Sequence, residues 1–339
     1  MRDLMKLPAA IAVAASVVVS GAAMAQQKPA EFRYTTGAPP NTPWTMQLDR
    51  FVKDLDEETK SAMKIIPFIN AQLGNEQDTM QQTARGRIDL GGFSVAAAAA
   101  LVPELSLTSL PFYFSSTRQQ DCVYDNHLVN YSKNALAQKG VVFLGWTHVG
   151  SGSIVGKKAY KSPADVKGLK ARSAPTKTAA AFWVALGANP NPLGITEWSS
   201  AHQTGLVDVS DAPVTYYVPS GLGKIAPVYT RTNHVDSGGI IVMAKAVYDK
   251  LTSDQRNALH RTVDKRPASQ LRAEIRGFEE KILEMHVKNG GTIVNLTAAE
   301  RAVWQKALES AWPEIVKTVG GNAQAFYKLM EDAKKACGA

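Results

Sequence analysis

Cysteine is nearly absent from this chain, and so is every common metal-binding spacing. Only Cys122 and Cys337 occur in 339 residues. They form no Cys-x-x-Cys pair, and His127, His148, His202, His234, His260 and His286 are never spaced as His-x-His or His-x-x-x-His. Isolated ligands of this kind exclude the usual zinc frameworks, and no cofactor is expected. Beyond the N-terminus no apolar stretch is long enough to span a bilayer. A run of basic residues is missing too. The formal charge of +8 is scattered, with no zinc-finger or aromatic RNA-reading motif beside it, so nucleic acid is not an expected partner.

What is present begins with a leader. Arg2 and Lys6 precede an apolar run from Leu7 to Val19, which ends in Ser20-Gly21-Ala22-Ala23-Met24-Ala25. This is the layout of a secretory signal peptide over residues 1–25, with cleavage before Gln26. The two cysteines then lie in a chain bound for an oxidising compartment. A disulfide tying the C-terminal tail to the first part of the chain is expected, with two separate buried thiols as the alternative.

The hydrophobic fraction of 45% and charged fraction of 20% are ordinary for a globular protein, and a chain of this length divides into two lobes more readily than it grows one core. Short β-rich runs alternate with helical patterns: Phe32 to Thr36, Trp44 to Glu58, Lys64 to Ile69, Asp78 to Arg85 and Ile88 to Phe93. A second series comprises Val141 to Trp146, Leu169 to Arg172, Thr178 to Leu186 and Leu206 to Ser210. Both read as α/β lobes built on parallel strands. Capping boxes at Ser162-x-x-Asp165, Thr252-x-x-Gln255 and Thr297-x-x-Glu300 mark helix starts. The last ninety residues read as almost entirely helical. Within them Leu271, Ile275, Phe278, Ile282 and Met285 recur at steps of four and three, which predicts one long helix with a buried stripe.

Several punctuated motifs occur in order along nearly the whole mature chain. They are Gln72-Leu73-Gly74-Asn75-Glu76, Gly86-Arg87-Ile88-Asp89-Leu90, Val102-Pro103-Glu104-Leu105 and Leu110-Pro111-Phe112, then Ser162-Pro163-Ala164-Asp165-Val166-Lys167-Gly168-Leu169-Lys170-Ala171-Arg172. Leu186-Gly187-Ala188, Thr196-Glu197-Trp198 and Gln203-Thr204-Gly205-Leu206-Val207-Asp208 follow. Any one is weak, but the ordered set resembles the substrate-binding subunit of tripartite ATP-independent periplasmic (TRAP) transporters, the C4-dicarboxylate-binding type. The resemblance implies a periplasmic, monomeric, two-lobed α/β clamp that holds a small organic anion and delivers it to transporter membrane subunits. Hinge strands cross between the lobes and a long helix spans both. The expected division is lobe I at 26–149, with part of 237–268 returning to it, lobe II at 150–236, and bracing helices at 269–339.

The resemblance also points to site residues. Arg172 ends a strand where the family places a ligand-gripping arginine, and a planar guanidinium can hold a carboxylate by two parallel hydrogen bonds. Glu76 sits where relatives carry a carboxylate at the cleft edge. The turn Gly37-Ala38-Pro39-Pro40 and Ser94 are cleft candidates by topology. Two departures stand out. A second arginine expected in a Gly-x-Arg turn is replaced within Gly150-Ser151-Gly152-Ser153, and the ligand-facing asparagine of Asp-Gly-x-Glu-Asn reads Ala212 in Asp208-Val209-Ser210-Asp211-Ala212. Small replacements suggest room for a bulkier, aromatic or branched carboxylate. Ser151, Ser153, Asp211 and Tyr216, with its neighbour Tyr217, are the remaining pocket candidates.

Competing readings are thinner. Gly92-Phe93-Ser94-Val95-Ala96 lacks the final glycine of a nucleophile elbow, and no spacing links a histidine to Ser94, so a periplasmic hydrolase is disfavoured and no enzyme is expected. Gly221-Leu222-Gly223-Lys224-Ile225-Ala226 does not follow a clear strand, as a dinucleotide fingerprint would. The same clamp serving a signalling receptor as its ligand sensor stays open.

Overall fold

The computed structural model describes residues 30–338. The leader assigned to residues 1–25 lies outside the described residues. In chain order the first elements are β1 (Ala30–Thr36), α1 (Pro43–Glu58), β2 (Met63–Phe68), α2 (Glu76–Ala84), β3 (Leu90–Ser94), α3 (Val95–Ala98), α4 (Thr117–Val123) and α5 (Val129–Ala137). The middle of the chain forms β4 (Val141–Gly156), β5 (Lys170–Ser173), α6 (Lys177–Ala185), β6 (Asn189–Pro192), α7 (Trp198–Gln203), β7 (Val209–Pro213) and α8 (Val214–Tyr217). The last part contains β8 (Val228–Ala244), α9 (Lys245–Tyr248), α10 (Ser253–Asp264), α11 (Ala268–Lys288), β9 (Thr292–Asn295), α12 (Ala298–Glu309), α13 (Trp312–Val319) and α14 (Ala323–Cys337).

One mixed sheet runs through the molecule in the order β2-β1-β3-β8-β4-β7-β5-β6, with β9 pairing β8 near its start. Its backbone is the antiparallel pair β4–β8, far longer than the other strands. The far half of β8 carries the parallel trio β3, β1 and β2, while the far half of β4 carries β7, β5 and β6. Two half-sheets are thus joined by a two-stranded ribbon. The ribbon's register shifts at Phe143/Gly145, His148/Gly150 and Gly152/Ile154. Such bulges bend a strand and loosen its pairing locally, so the joint between the half-sheets falls at His148 to Ile154.

Separate apolar cores fill the two sides. Leu55, Met63, Ile65 and Leu90 pack with Leu259 beneath β1 to β3. Trp183 and Trp304, both fully buried, anchor another core with Ile154, Val166 and Val209. Burying side chains of this size contributes about 2–3 kcal/mol each against leaving them exposed. Helix α11 crosses between the sides. Its Glu274 takes the Gln47 amide nitrogen and an Arg50 amino group from α1, while its Ile282 and Leu283 join the core around Tyr217 and Tyr229.

The α/β alternation, the long helix and all three capping boxes appear where the sequence puts them, although the Ser162 box opens only a single 3-10 turn. Three details differ. The strand expected at Leu206 to Ser210 begins at Val209, because Gly205 at φ +70° turns the chain and the Asp208 carboxylate takes the Lys170 amide. Met285 is 47% exposed, and the α11 stripe ends instead on buried His286, which meets the Pro227 carbonyl at 2.9 Å. The final ninety residues also include β9. Cys122 and Cys337 are bonded, with Cα atoms 5.8 Å apart, fixing the end of α14 to α4.

Candidate functional site

Strand ends of both half-sheets face each other across a cavity of about 180 Å³. From one side come the turn Gly37, Ala38 and Pro39, Trp44 at the start of α1, Glu76 at the start of α2 and Ser94 at the end of β3. The other side presents Arg172 from β5, Phe182 from α6, Trp198 from α7, then Asp211 and Tyr216. His234 and Val235 of β8 form the back wall.

The mouth is shut. The Thr196 amide and hydroxyl both donate to Asn75 Oδ1, at 3.1 and 2.8 Å, so the two walls are hydrogen-bonded at their lips. Beside this contact a Cβ on Gly37 would strike Ile195, and one on Gly194 would overlap the Asn75 amide. Only glycine lets the lips approach so closely.

Arg172 is 5% exposed. Its Nε donates to the Leu193 carbonyl at 2.9 Å, and its guanidinium carbon lies 3.9 Å from the Trp198 ring centre. The terminal amino groups have no hydrogen-bond partner among the described residues. Burial pushes the Arg172 pKa down to about 10, although the negative charge of Asp211 and Glu76 nearby works the other way. It still carries its charge at neutral pH. A fixed, stacked guanidinium with its bidentate edge free is preorganised for a carboxylate.

Behind this arginine the Trp198 indole donates to Ser210 Oγ, which also meets His202 Nε2, both at 2.9 Å. Tyr216 stacks on Trp198 with ring centres 5.3 Å apart and donates to the Ile195 carbonyl at 3.1 Å. Burial raises the Tyr216 phenol to about 12, so it stays a neutral donor. Across the cavity Glu76 accepts from the Ser94 amide at 3.1 Å and from its hydroxyl at 2.9 Å. Burial pushes the Glu76 carboxyl up, and the Ser94 hydrogen bonds oppose that shift. The Ser94 oxygen in turn caps α3 by accepting from the Ala97 amide at 3.2 Å.

Arg172, Glu76, Ser94, Asp211 and Tyr216 are therefore brought together. Ser151 and Ser153 are not. Both hydroxyls turn to Asn233 Oδ1 on β8, at 3.3 and 3.0 Å, because the register shifts flanking them re-aim this stretch. Ala212 packs in the core around Tyr217 and leaves the cavity to Asp211, as strand alternation requires. Tyr217 is buried in that core, donating to Ala226. Nor does Gly152 enlarge the pocket: a Cβ there would lie 2.7 Å from Val235, whose side chain already fills the space. Trp198, Trp44, Phe182 and His234 escape sequence reasoning. Only Trp198 carries a signal, its place in the Thr196-Glu197-Trp198 motif.

A buried arginine lining a cleft between two half-sheets is the geometry of a binding protein, and comparison with known chains agrees. The model of bacterial extracellular solute-binding proteins, family 7 (DctP), matches residues 34–318. The chain belongs to this family. It is a TRAP-type solute-binding protein. A solute-binding protein of Chromohalobacter salexigens is 27% identical over 293 residues, covering 85% of this chain and 86% of that one. Among solved structures, a TRAP periplasmic solute-binding protein of Sulfurospirillum deleyianum with bound succinate superposes at TM-score 0.81, with 27% identity over 88% of this chain and 97% of the other. The sugar acid binding protein of Advenella mimigardefordensis in complex with galactonate gives TM-score 0.85 at 22% identity, covering 92% and 99%, a likeness of fold.

Proposed function

We propose that this TRAP-type protein captures a small carboxylate in the cleft on Arg172 and hands it unchanged to the membrane subunits of a transporter. One observation carries the reading: a buried, stacked guanidinium with two unpartnered amino groups lines the cavity between the half-sheets. The cavity is smaller than the sites that hold drug-sized ligands, and its walls are largely apolar and aromatic. A compact acid with a branched or aromatic body suits it better than a polyhydroxy acid. Glu76, Ser94, Asp211 and Tyr216 complete the ligand-facing set. The Ser94 hydroxyl is spent on Glu76 and on its helix cap, which weighs against a nucleophilic role.

The division into lobe I at 26–149 with part of 237–268, lobe II at 150–236 and bracing helices at 269–339 accords with the jointed ribbon and with α11. Removal of residues 1–25 on export to the periplasm completes the proposal. Thermal unfolding of the mature protein against matched acids and amides tests it. A carboxylate at about 100 times its dissociation constant adds about 2.7 kcal/mol and raises the midpoint by a few degrees. Its amide leaves the midpoint where it was. Equal shifts by acids and amides would remove Arg172 from its role.

A further inference from the structure

The charges around the cavity do not balance for a simple anion. The lining has one cationic residue, Arg172, and two carboxylates, Glu76 and Asp211, beside the His234 imidazole. The two acids are not equivalent. Both Glu76 oxygens are occupied by Ser94, whereas Asp211 has no hydrogen-bond donor to its carboxylate among the described residues. The His234 Nε2 stands 3.8 Å from Asp211 Oδ2, beyond hydrogen-bond reach, and Arg172 feels the Asp211 charge without a hydrogen bond between them. The other ring nitrogen of His234 is engaged with Thr232 at 2.8 Å, and Phe182 stacks on the ring. An acceptor left open on the wall that also bears the carboxylate grip asks for a donor on the solute.

Electrostatics decides which donor. A plain or hydroxylated acid would set its negative charge beside that of Asp211 against a single guanidinium. A solute that carries its own positive charge adds no net charge and gives each open group its counterpart. We propose that the solute is a zwitterion, a small carboxylic acid bearing a protonated or quaternary nitrogen, with its carboxylate on Arg172 and its nitrogen against Asp211. Trp44 and Phe182 supply the apolar wall for the carbon body between the two ends. This inference rests on the carboxylate reading above and narrows it.

The test is a calorimetric and thermal-shift screen of the refolded mature protein. The probes are the twenty standard amino acids, 4-aminobutyrate and glycine betaine, each beside the acid that lacks the nitrogen and, where one exists, the acid with a hydroxyl in its place. At least one zwitterion should bind ten- to a hundredfold more tightly than both of its counterparts, the range of one charge-assisted hydrogen bond. Asp211→Asn should abolish that preference, while Arg172→Gln should weaken every acid in the set. Nitrogen-free acids that bind as tightly as their amino forms, or a zwitterion whose affinity survives Asp211→Asn, overturn the inference and leave the carboxylate reading standing. Binding by nitrogen-free acids alone has the same meaning. If neither class binds, both readings fall.

Discussion

Two sets of arginines in this protein have opposite fates. Arg172 in the cleft meets no protein carboxylate within ion-pair distance and holds itself by a backbone carbonyl and an indole face. On α11, Arg272 and Arg276 are surrounded by acids. Arg276 donates to both Asp121 oxygens at 2.7 and 2.9 Å and to Asp236 at 2.7 Å, while Arg272 pairs with Asp121 and Asp125. Asp236 reaches His148 on the ribbon as well, at 2.8 Å. Burial works against ionising Asp236, but His148 and Arg276 outweigh it and hold its carboxyl below the usual range. Where the protein answers an arginine's charge, the side chain is a brace. Where it leaves the charge without an ion pair, the side chain is available to an outside group.

The brace is also where the hinge is held. Glu279, one turn beyond Arg276 on α11, accepts the Ser151 amide at 2.6 Å, and burial pushes its carboxyl up. A Cβ on Gly150 would lie 2.8 Å from the same carboxylate, and the residue sits at φ +120°. Glycine is needed there on both counts. The cleft and the brace thus meet at the ribbon.

The sharpest way to break the comparison is to exchange the expected losses. Arg172→Ala should cost roughly 3–5 kcal/mol of ligand affinity, about a hundred- to several-thousand-fold, with the ligand-free unfolding midpoint little changed. Calorimetry beside a thermal melt reads both, and unchanged affinity would return Arg172 to a structural role. Replacing Cys122 and Cys337 together by serine should do the reverse. Loss of a link between residues 215 apart removes about 2–4 kcal/mol of stability, seen as a lower urea midpoint, and leaves affinity in place.

Arg276→Ala should destabilise by about 2 kcal/mol, less than for a fully buried pair because its side chain is 23% exposed. The same urea titration measures it, and a loss of affinity larger than the loss of stability would erase the distinction between brace and grip.

The smallest effect is a pH dependence at His202, behind the cleft arginine. Burial, aided by Lys157 and Arg172, lowers its pKa to about 4, below the unfolded value near 6.5. The unfolded chain therefore binds the proton more readily. The stability contributed by neutral His202 is fully present above pH 6.5 and is lost as pH falls from there toward 4. Between pH 7.5 and 5.5 the loss should be about 1 kcal/mol, absent in His202→Gln, as the difference between the two proteins' denaturation curves at each pH.

Much of this was legible in one dimension. The capping boxes at Thr252 and Thr297 name their helix starts because each uses residues three apart. The Leu271 to Ile282 stripe names its helix because the period is local. Arg172 was legible as the end of a short strand within an ordered set of motifs. The Ser151 and Ser153 reading went astray for an equally physical reason: a bulge changes which face a strand residue presents, and bulges are settled by the partner strand.

The sequence by itself determined the α/β alternation, the capped helix starts after Thr252 and Thr297 and the presence of one candidate anion grip, since each depends on residues a few positions apart. Only the tertiary structure decided what surrounds that grip. Trp198 beneath Arg172, Asp211 left without a donor, Val235 filling the space over Gly152, and Asn75 meeting Thr196 across 121 residues all depend on two half-sheets closing on each other. Burial and charge balance are sums over neighbours in space, and the chain order does not contain them.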